Sequence, residues 1–487
     1  MNKLAPVAAA PLSALLLHLG TGLHPVPWLT WVAFLPVLLV ASRVGAGTAF
    51  ASASLAWLGG QTQMWSYYSD TIETPLVVTA SVIIGTSIAF GLITVLFRAL
   101  LARGRPVLAT LAVPAAWVAL EYAISLSAPH GAWWSLAYTQ TDLLPVLQTA
   151  ALTGVWGITF LLLLLPATIA AMLAPGAPGR LRVAVTAGAI LGLALGHGAW
   201  RSMAPVDGSG RQVALVSTDD PLDPVELSSP QGRELSRRYT SAVEAAAAGG
   251  ARVVILPEKT FRTDSPLPLG GSGADVVVGA VLDKGDVRVN AALAYPVEYD
   301  KQHMIPGLES ELTPGESLAF LPGSTWGLII CKDLDFPELV RDYRGRGATA
   351  LLAPAWDFGD DAWLHSRMAI TRGVESGLSV ARVARGGLLV VSDPRGRVLA
   401  EARSAKEMTT VTATLPDRAR TTLYGRLGDW AAWASAGLLL LALAGLSRGA
   451  RPLPPSRRLL HRGARLRGAG LDQSAHEVAT GIDQRIG

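Results

Sequence analysis

Three observations predict a polytopic α-helical membrane domain joined to one sheet-based α/β domain. Half of the 487 residues are hydrophobic and only 16% are charged, which is too apolar for an ordinary water-soluble chain. The apolar residues crowd into residues 1–201 and a stretch near 430–446. Residues 211–420 instead have the mixed composition of a globular domain of about 200 residues, with strand-like and helix-like runs alternating along it.

The membrane domain, residues 1–201, offers about seven stretches of the roughly 17–25 apolar residues that a spanning helix needs. They lie near 4–22, 26–43, 45–67, 75–102, 107–127, 144–173 and 181–201, and an eighth lies near 429–447. No small-x-small cleavage site follows the first apolar run, so it reads as a span rather than a signal peptide.

Short loops give the orientation, because Lys and Arg collect on the cytoplasmic side. Arg43, then Arg98, Arg103 and Arg105, then Arg180 and Arg182 fall in alternate loops, and the intervening loops carry neither residue type. Seven crossings from a cytoplasmic N-terminus put residues 211–420 outside the cytoplasm. The eighth helix returns the chain to a basic, disordered cytoplasmic tail, 448–487, with Arg448, Arg451, Arg457, Arg458, Arg462, Arg465 and Arg467. That tail is either a topology anchor or a ligand for anionic lipid headgroups. The net charge of +4 sits largely there, which argues against a nucleic-acid-binding face on the folded domain.

Glu121 lies inside an apolar helix, PAAWVALEYAI, as either a paired functional group or a headgroup-level carboxylate. In the loop PHGAWWSLAYTQ, Trp133, Trp134 and Tyr138 suit an interfacial aromatic belt, with Trp134 and Tyr138 also candidates to support a substrate site.

From Gln212 onward the pattern is strand, helix, strand: VALVS (213–217), an alanine-rich helix ending at Gly249-Gly250, and VVILPE (253–258). Further strands are expected at 275–281, 288–295, 317–321, 326–330, 350–353, 380–384, 387–392 and 409–415, with helices near 336–346 and 361–377. The GGSG cluster at 270–273 lacks the strand–loop–helix setting of a phosphate loop. His303, His365 and Cys331 are too scattered to form a zinc site, so neither metal nor cofactor is expected.

The only cysteine, Cys331, ends the apolar run Trp326–Ile330 just before Phe336-Pro337-Glu338 starts a helix. A thiol at such a strand-to-helix elbow faces the crevice at the carboxyl end of a sheet, although a free cysteine more often fills a core. Glu258 follows an apolar strand and a proline, and Lys301 opens the loop YDKQHMIPGLE after another strand. A carboxylate can take the thiol proton, and a nearby ammonium favours the thiolate and stabilises an oxyanion. Together these three groups specify acyl transfer through a thioester.

Glu258 in LPE, Lys301 in YDKxH and Cys331 in CxDxxFPE resemble the Glu–Lys–Cys triad of the nitrilase (carbon–nitrogen hydrolase) superfamily, in order and context. The chain as a whole resembles the bacterial apolipoprotein N-acyltransferase family over about residues 20–446, including HPVPWLTWVAFLPVLL, WVALEY, WWSLAYTQ, GVWGITFLLLL, SDPRGRVLA and TTLYGRLGDWAAW. The resemblance implies an αββα sandwich and a cytoplasmic-membrane enzyme that moves an acyl chain from a phospholipid to the N-terminal amine of a lipoprotein. It further implies Glu258 as base, Cys331 as acyl carrier, Lys301 with the backbone N–H after Cys331 as oxyanion site, and Glu309 on a mobile loop holding the site. A monomer is expected.

The chain departs from the family pattern where Lys332 and Asp333 replace an aromatic residue and Glu directly after the nucleophile. These two positions are candidate supporting residues, and they leave a membrane-tethered amidase, in which water resolves the thioester, as the alternative. A catalytically silent binding protein is the third reading, and the intact triad argues against it.

Overall fold

The computed structural model describes residues 5–176, 178–205, 209–265, 267 and 271–447. The arginine-rich tail and part of the GGSG cluster therefore lie outside the described residues.

Among the described residues, five helices are long and apolar enough to cross a membrane: Leu76–Ala102, Pro106–Ser127, Val155–Met172, Arg180–Met203 and Trp430–Ser447. The other expected spans are shorter or broken, for reasons visible in the chain. The 26–43 stretch forms two helices, Pro27–Ala33 and Leu35–Ala41, because Pro36 starts a new first turn. In the 144–173 stretch, Gly154 adopts φ 67° and separates two short turns from the helix Val155–Met172. The helix Ala46–Gly60 ends in tighter and wider turns through Thr71.

Two sheets form the second half. In the first, the strand order is Thr409–Pro416, Gly210–Ser217, Val253–Ile255, Asp275–Lys284, Phe261–Thr263 and Val225–Glu226; Val287–Ala294 branches from Asp275–Lys284, and Val297–Asp300 pairs with Val287–Ala294. In the second, the order is Val398–Arg403, Leu388–Ser392, Ser379–Arg385, Ala350–Trp356, Trp326–Leu328 and Ala319–Phe320. The short strands at 225–226, 261–263, 297–300 and 398–403 were not among those expected.

Alternation along Gly210–Ser217 explains the layering. Val213 and Leu215 join Leu328, Ile330, Leu352 and Val380 in the core between the sheets. Ala214 and Val216 point the other way, against Leu235, Tyr239 and Val243 of the helix Pro230–Ala248. The helices Pro337–Gly345 and Ala362–Ser376 belong with the second sheet, which completes the αββα sandwich.

The helix Ala362–Ser376 also sets where the sandwich meets the membrane helices. Leu364, Met368, Ile370 and Val374 are buried in the same cluster as Trp117, Val155 and Leu162. Polar contacts reinforce that joint: Glu375 accepts from Val155 N at 2.8 Å, Arg372 donates to Tyr138 Oη at 3.0 Å, and Arg367 pairs with Asp142 at 2.7 Å.

Candidate active site

Glu258 occupies a gap in a strand. Val253–Ile255 and Phe261–Thr263 pair with the same edge of Asp275–Lys284, and the residues between them leave the ladder. Leu256 N donates to Val277 O and Thr260 N to Gly279 O on either side of the gap, and Lys259 adopts φ 50°. Interruptions of this kind re-aim side chains at functional rims. Gly279 is required opposite, since a Cβ there would lie 2.4 Å from Glu258 Cα.

Lys301 follows the strand Val297–Asp300 and is completely buried, with Nζ 2.8 Å from both Glu258 Oε1 and Glu309 Oε2. Asn290 donates its side-chain amide to Glu258 at 2.6 Å and to Glu309 at 3.1 Å. Lys259 Nζ reaches Glu309 Oε1 at 2.7 Å, and Ile305 N reaches Oε2 at 2.9 Å. Two carboxylates and two ammonium groups thus neutralise one another in a buried array, which keeps each charge paired and hydrogen-bonded.

Cys331 stands after Ile330 at φ 40°, a left-handed conformation that is strained for a residue with a side chain. The turn Cys331–Asp335 begins there, and Sγ lies 3.6 Å from Trp356 O. The elbow is thus fixed by backbone that the surrounding sheet holds in place.

Electrostatics refine the expected chemistry. Burial pushes the Cys331 thiol well above its ordinary value, Glu258 adds to that, and Lys301 and Arg382 only partly oppose it. The resting sulfur is therefore a thiol that needs a base, since the ammonium acts in the direction expected of it but does not outweigh burial and Glu258. Burial opposes the Lys301 cation, but Glu258 and Glu309 outweigh it and hold its pKa well above the usual lysine range. Burial likewise disfavours the Glu309 carboxylate, yet Lys301 and Lys259 hold it down at about 2.

The other expected residues divide by position. Glu309 joins the array and is fully buried, so its part of the loop is pinned rather than mobile. Asp333 anchors the segment after Lys301, accepting from Tyr299 Oη at 2.7 Å and His303 N at 2.9 Å. Lys332 turns towards the membrane half, where its Nζ meets His130 Nδ1 at 2.9 Å. Trp134 is partly buried against the membrane core, and Tyr138 is buried under Arg372. Neither forms the exposed interfacial belt expected of them, because Glu121 pins this loop inward. Its carboxylate accepts from Ser135 Oγ at 2.9 Å, Leu136 N at 3.0 Å and Thr159 Oγ1 at 3.0 Å.

Asp357, Asp361 and His365 offer ligand atoms within 4.8 Å of one another, a grouping the scattered histidines did not suggest. Arg382 makes paired bonds to Asp357, and Tyr67 Oη donates to Asp361 at 2.7 Å. These partners make the cluster an ionic joint between sheet and membrane half, not a free ligand set.

Asn290, Lys259 and Trp356 were not anticipated. Asn290 had one legible signal, a polar residue at a buried position in the apolar strand VRVNAALA.

Known proteins show matching regions. The model of the apolipoprotein N-acyltransferase N-terminal domain matches residues 13–168, and that of carbon-nitrogen hydrolase matches 287–424, a range holding Lys301, Glu309 and Cys331. An apolipoprotein N-acyltransferase of Geobacter metallireducens is 26% identical over 87% of this chain and 92% of its own length. One from Allorhizobium ampelinum is 27% identical over 82% and 84%. Among solved structures, an amidase from Nesterenkonia sp. aligns at 22% identity with a TM-score of 0.34, over 44% of this chain and 94% of that one.

Proposed function

We infer that the chain belongs to the apolipoprotein N-acyltransferase family and is a bacterial membrane N-acyltransferase, moving a fatty acyl chain from a phospholipid to the N-terminal amine of a lipoprotein. The relatives aligned over most of the chain carry that name, and both halves match the corresponding domains.

Our assignment of roles rests on one observation: Glu258, Lys301 and Glu309 form a closed buried array in whose electrostatic field Cys331 sits. In the first half-reaction Glu258 takes the thiol proton as Sγ attacks the ester carbonyl of the donor. Lys301 Nζ, with the backbone N–H after Cys331, stabilises the oxyanion. The C–O bond then breaks, the lyso-lipid alkoxide leaves with the proton held by Glu258, and Cys331 carries the acyl group as a thioester. In the second half the lipoprotein amine attacks that carbonyl, Glu258 accepts its proton, the C–S bond breaks, and Glu258 returns the proton to the departing sulfur. Lys301 and Lys259 keep Glu309 ionised, so Glu309 fixes the ammonium rather than competing for protons.

The alternation of basic loops supports an extracytoplasmic catalytic domain in the cytoplasmic membrane. Intact-mass analysis of the purified protein incubated with phospholipid tests the chemistry. A fatty-acyl adduct that disappears in Cys331→Ala and on addition of an amine acceptor is the expected result. Transfer without any adduct on Cys331 would reject it.

A further inference from the structure

The base and the nucleophile stand on different sheets. Glu258 lies in the gap between Val253–Ile255 and Phe261–Thr263 of the first, whereas Cys331 follows the strand Trp326–Leu328 of the second. Proton transfer from Sγ needs the two held at a fixed separation, since a misplacement of about 1 Å can cost about a hundredfold in rate. One backbone hydrogen bond between the sheets, from Glu258 N to Ala355 O, is long at 3.3 Å.

Arg385 supplies a firmer tie. It ends the strand Ser379–Arg385 and lies in register with Trp356 on the parallel strand Ala350–Trp356, so both side chains rise from one face of the second sheet. Its guanidinium carbon lies 4.2 Å from the centroid of the Trp356 ring, and Nη2 donates to Lys259 O at 2.8 Å. Lys259 directly follows Glu258 and carries the strained φ of 50° in the gap. Trp356 carries the carbonyl oxygen that lies 3.6 Å from Cys331 Sγ. Lys259 Nζ lies 5.1 Å from the same ring while it pairs with Glu309. One side chain thus touches both the backbone that aims the base and the residue against which the thiol rests.

The type of side chain matters here. Arg385 is 2% exposed, and its Nε is buried without a hydrogen-bond partner. Burial pulls its pKa down to about 10, although Tyr239 and Glu258 oppose the fall. An apolar side chain would fill the space without desolvating a cation. It would not donate from its edge while stacking through its face, which a planar guanidinium does and an ammonium does not. Neither half-reaction uses this charge as an acid or a base, so its contribution is geometric.

We propose that Arg385 is a positioning residue for acyl transfer: through Lys259 O and the Trp356 ring it fixes Glu258 of one sheet against Cys331 of the other. The inference rests on Glu258 acting as the base and Cys331 as the nucleophile; Arg385 acts through its neighbours and moves no proton itself.

A double-mutant cycle on the full-length protein tests this, with single-turnover acylation of Cys331 followed by intact mass in mixed micelles of detergent and a phospholipid of one defined acyl chain. Arg385→Met is expected to slow acylation at least about tenfold while the donor concentration giving half the maximal rate stays the same, because aim and not binding is lost. In the Glu258→Gln background the same substitution should change the rate less than about twofold, since no base is left to aim. Arg385→Lys should recover little of the loss, keeping the charge without the planar fork. Trp356→Leu removes the stack, leaves the bond to Lys259 and should show the same dependence on Glu258, which keeps the question answerable if the Met variant fails to fold. Acylation by Arg385→Met at the parental rate, an equal loss with and without Glu258, or full rescue by Arg385→Lys would overturn the proposal. Glu258→Gln acylating at the parental rate, or an adduct on Cys331→Ala, would instead remove the base or the nucleophile, and the inference with it.

Discussion

Asn290 donates its side-chain amide to Glu258 at 2.6 Å while the same amide lies 3.1 Å from Glu309. One neutral group thus bridges the two carboxylates that share Lys301. Asn290→Leu is expected to cut acyl transfer more than about tenfold, because Glu258 loses the bond that aims it and the two acids are left less screened. Asn290→Asp should do worse, placing a third carboxylate in the array. Both variants are checked by transfer rate together with melting temperature. A variant that folds and transfers at the parental rate would remove Asn290 from the site.

Cys331→Ala should abolish transfer and leave the fold in place, since it removes a single buried sulfur atom and keeps the rest of the core around it. Glu258→Gln should lower the rate about a hundredfold or more, roughly the least that a general base typically contributes. Because burial and Glu258 push the thiol pKa up, Cys331 should also alkylate slowly at neutral pH and faster as pH rises. Rapid alkylation at pH 6 would show a preformed thiolate and contradict this arrangement.

Glu309 gives the pH dependence of stability a definite sign. Its folded pKa, about 2, lies below the ordinary 4.5, so its contribution is fully present above 4.5 and is lost as pH falls towards 2. The shift corresponds to about 3 kcal/mol at most. Wild type should therefore lose stability between pH 5 and 3, and Glu309→Gln, already destabilised at neutral pH, should lose less over that interval. Denaturant midpoints at a series of pH values measure the difference. Parallel curves for the two proteins would deny the linkage.

Glu258 and Cys331 were legible because each follows an apolar run that local pattern reveals, whereas the strand before Lys301, Val297–Asp300, was not expected and only the loop motif marked that lysine. The apolar runs before Glu258 and Cys331 announce buried strands, and the residues just past such runs reach a sheet rim. Lys259 was not legible, since its role depends on a gap in one strand and on Gly279 of another, a relationship with no local pattern. The span near 26–43 and the first turns of the one near 144–173 misled in another way, although Val155–Met172 within the latter is long and apolar enough to cross. Hydropathy sums over Pro36 and Gly154 without registering that one restarts a helix and the other breaks it. Tyr138 looked like an interfacial aromatic, but Arg372, 234 residues away in the chain, draws it inside.

Orientation is open to a direct measurement. In a Cys331→Ala background, Ser228→Cys lies on an exposed loop of the sandwich, and Pro175→Cys lies on the exposed loop before the helix Arg180–Met203. The basic-loop rule puts the first outside the cytoplasm and the second within it. A membrane-impermeant maleimide added to intact cells should label the first and spare the second. The opposite pattern would put the catalytic domain in the cytoplasm and exclude an extracytoplasmic acceptor.

The loop from His303 to Leu312 is held at both ends and free at its tip. His303 stacks on Phe336 with ring centroids 3.6 Å apart and binds Asp333, and Glu309 is locked between Lys301 and Lys259. Between these anchors Pro306, Gly307 and Leu308 are exposed, and Gly307 adopts φ 86° with open space where a Cβ would project. If the tip acts as a lid that admits lipid and shields the thioester, its motion depends on that glycine. Gly307→Ala adds no clash and changes only backbone preference, at a cost of about 1 kcal/mol, enough to shift an open–closed balance about fivefold. Water then gains access to the acyl-enzyme more often, so fatty-acid release should rise relative to acyl transfer, measured in one reaction with labelled donor. The two anchors remain untouched, so the first-half rate of Cys331 acylation should hold. An unchanged ratio of release to transfer would leave the loop only its structural task of positioning Glu309.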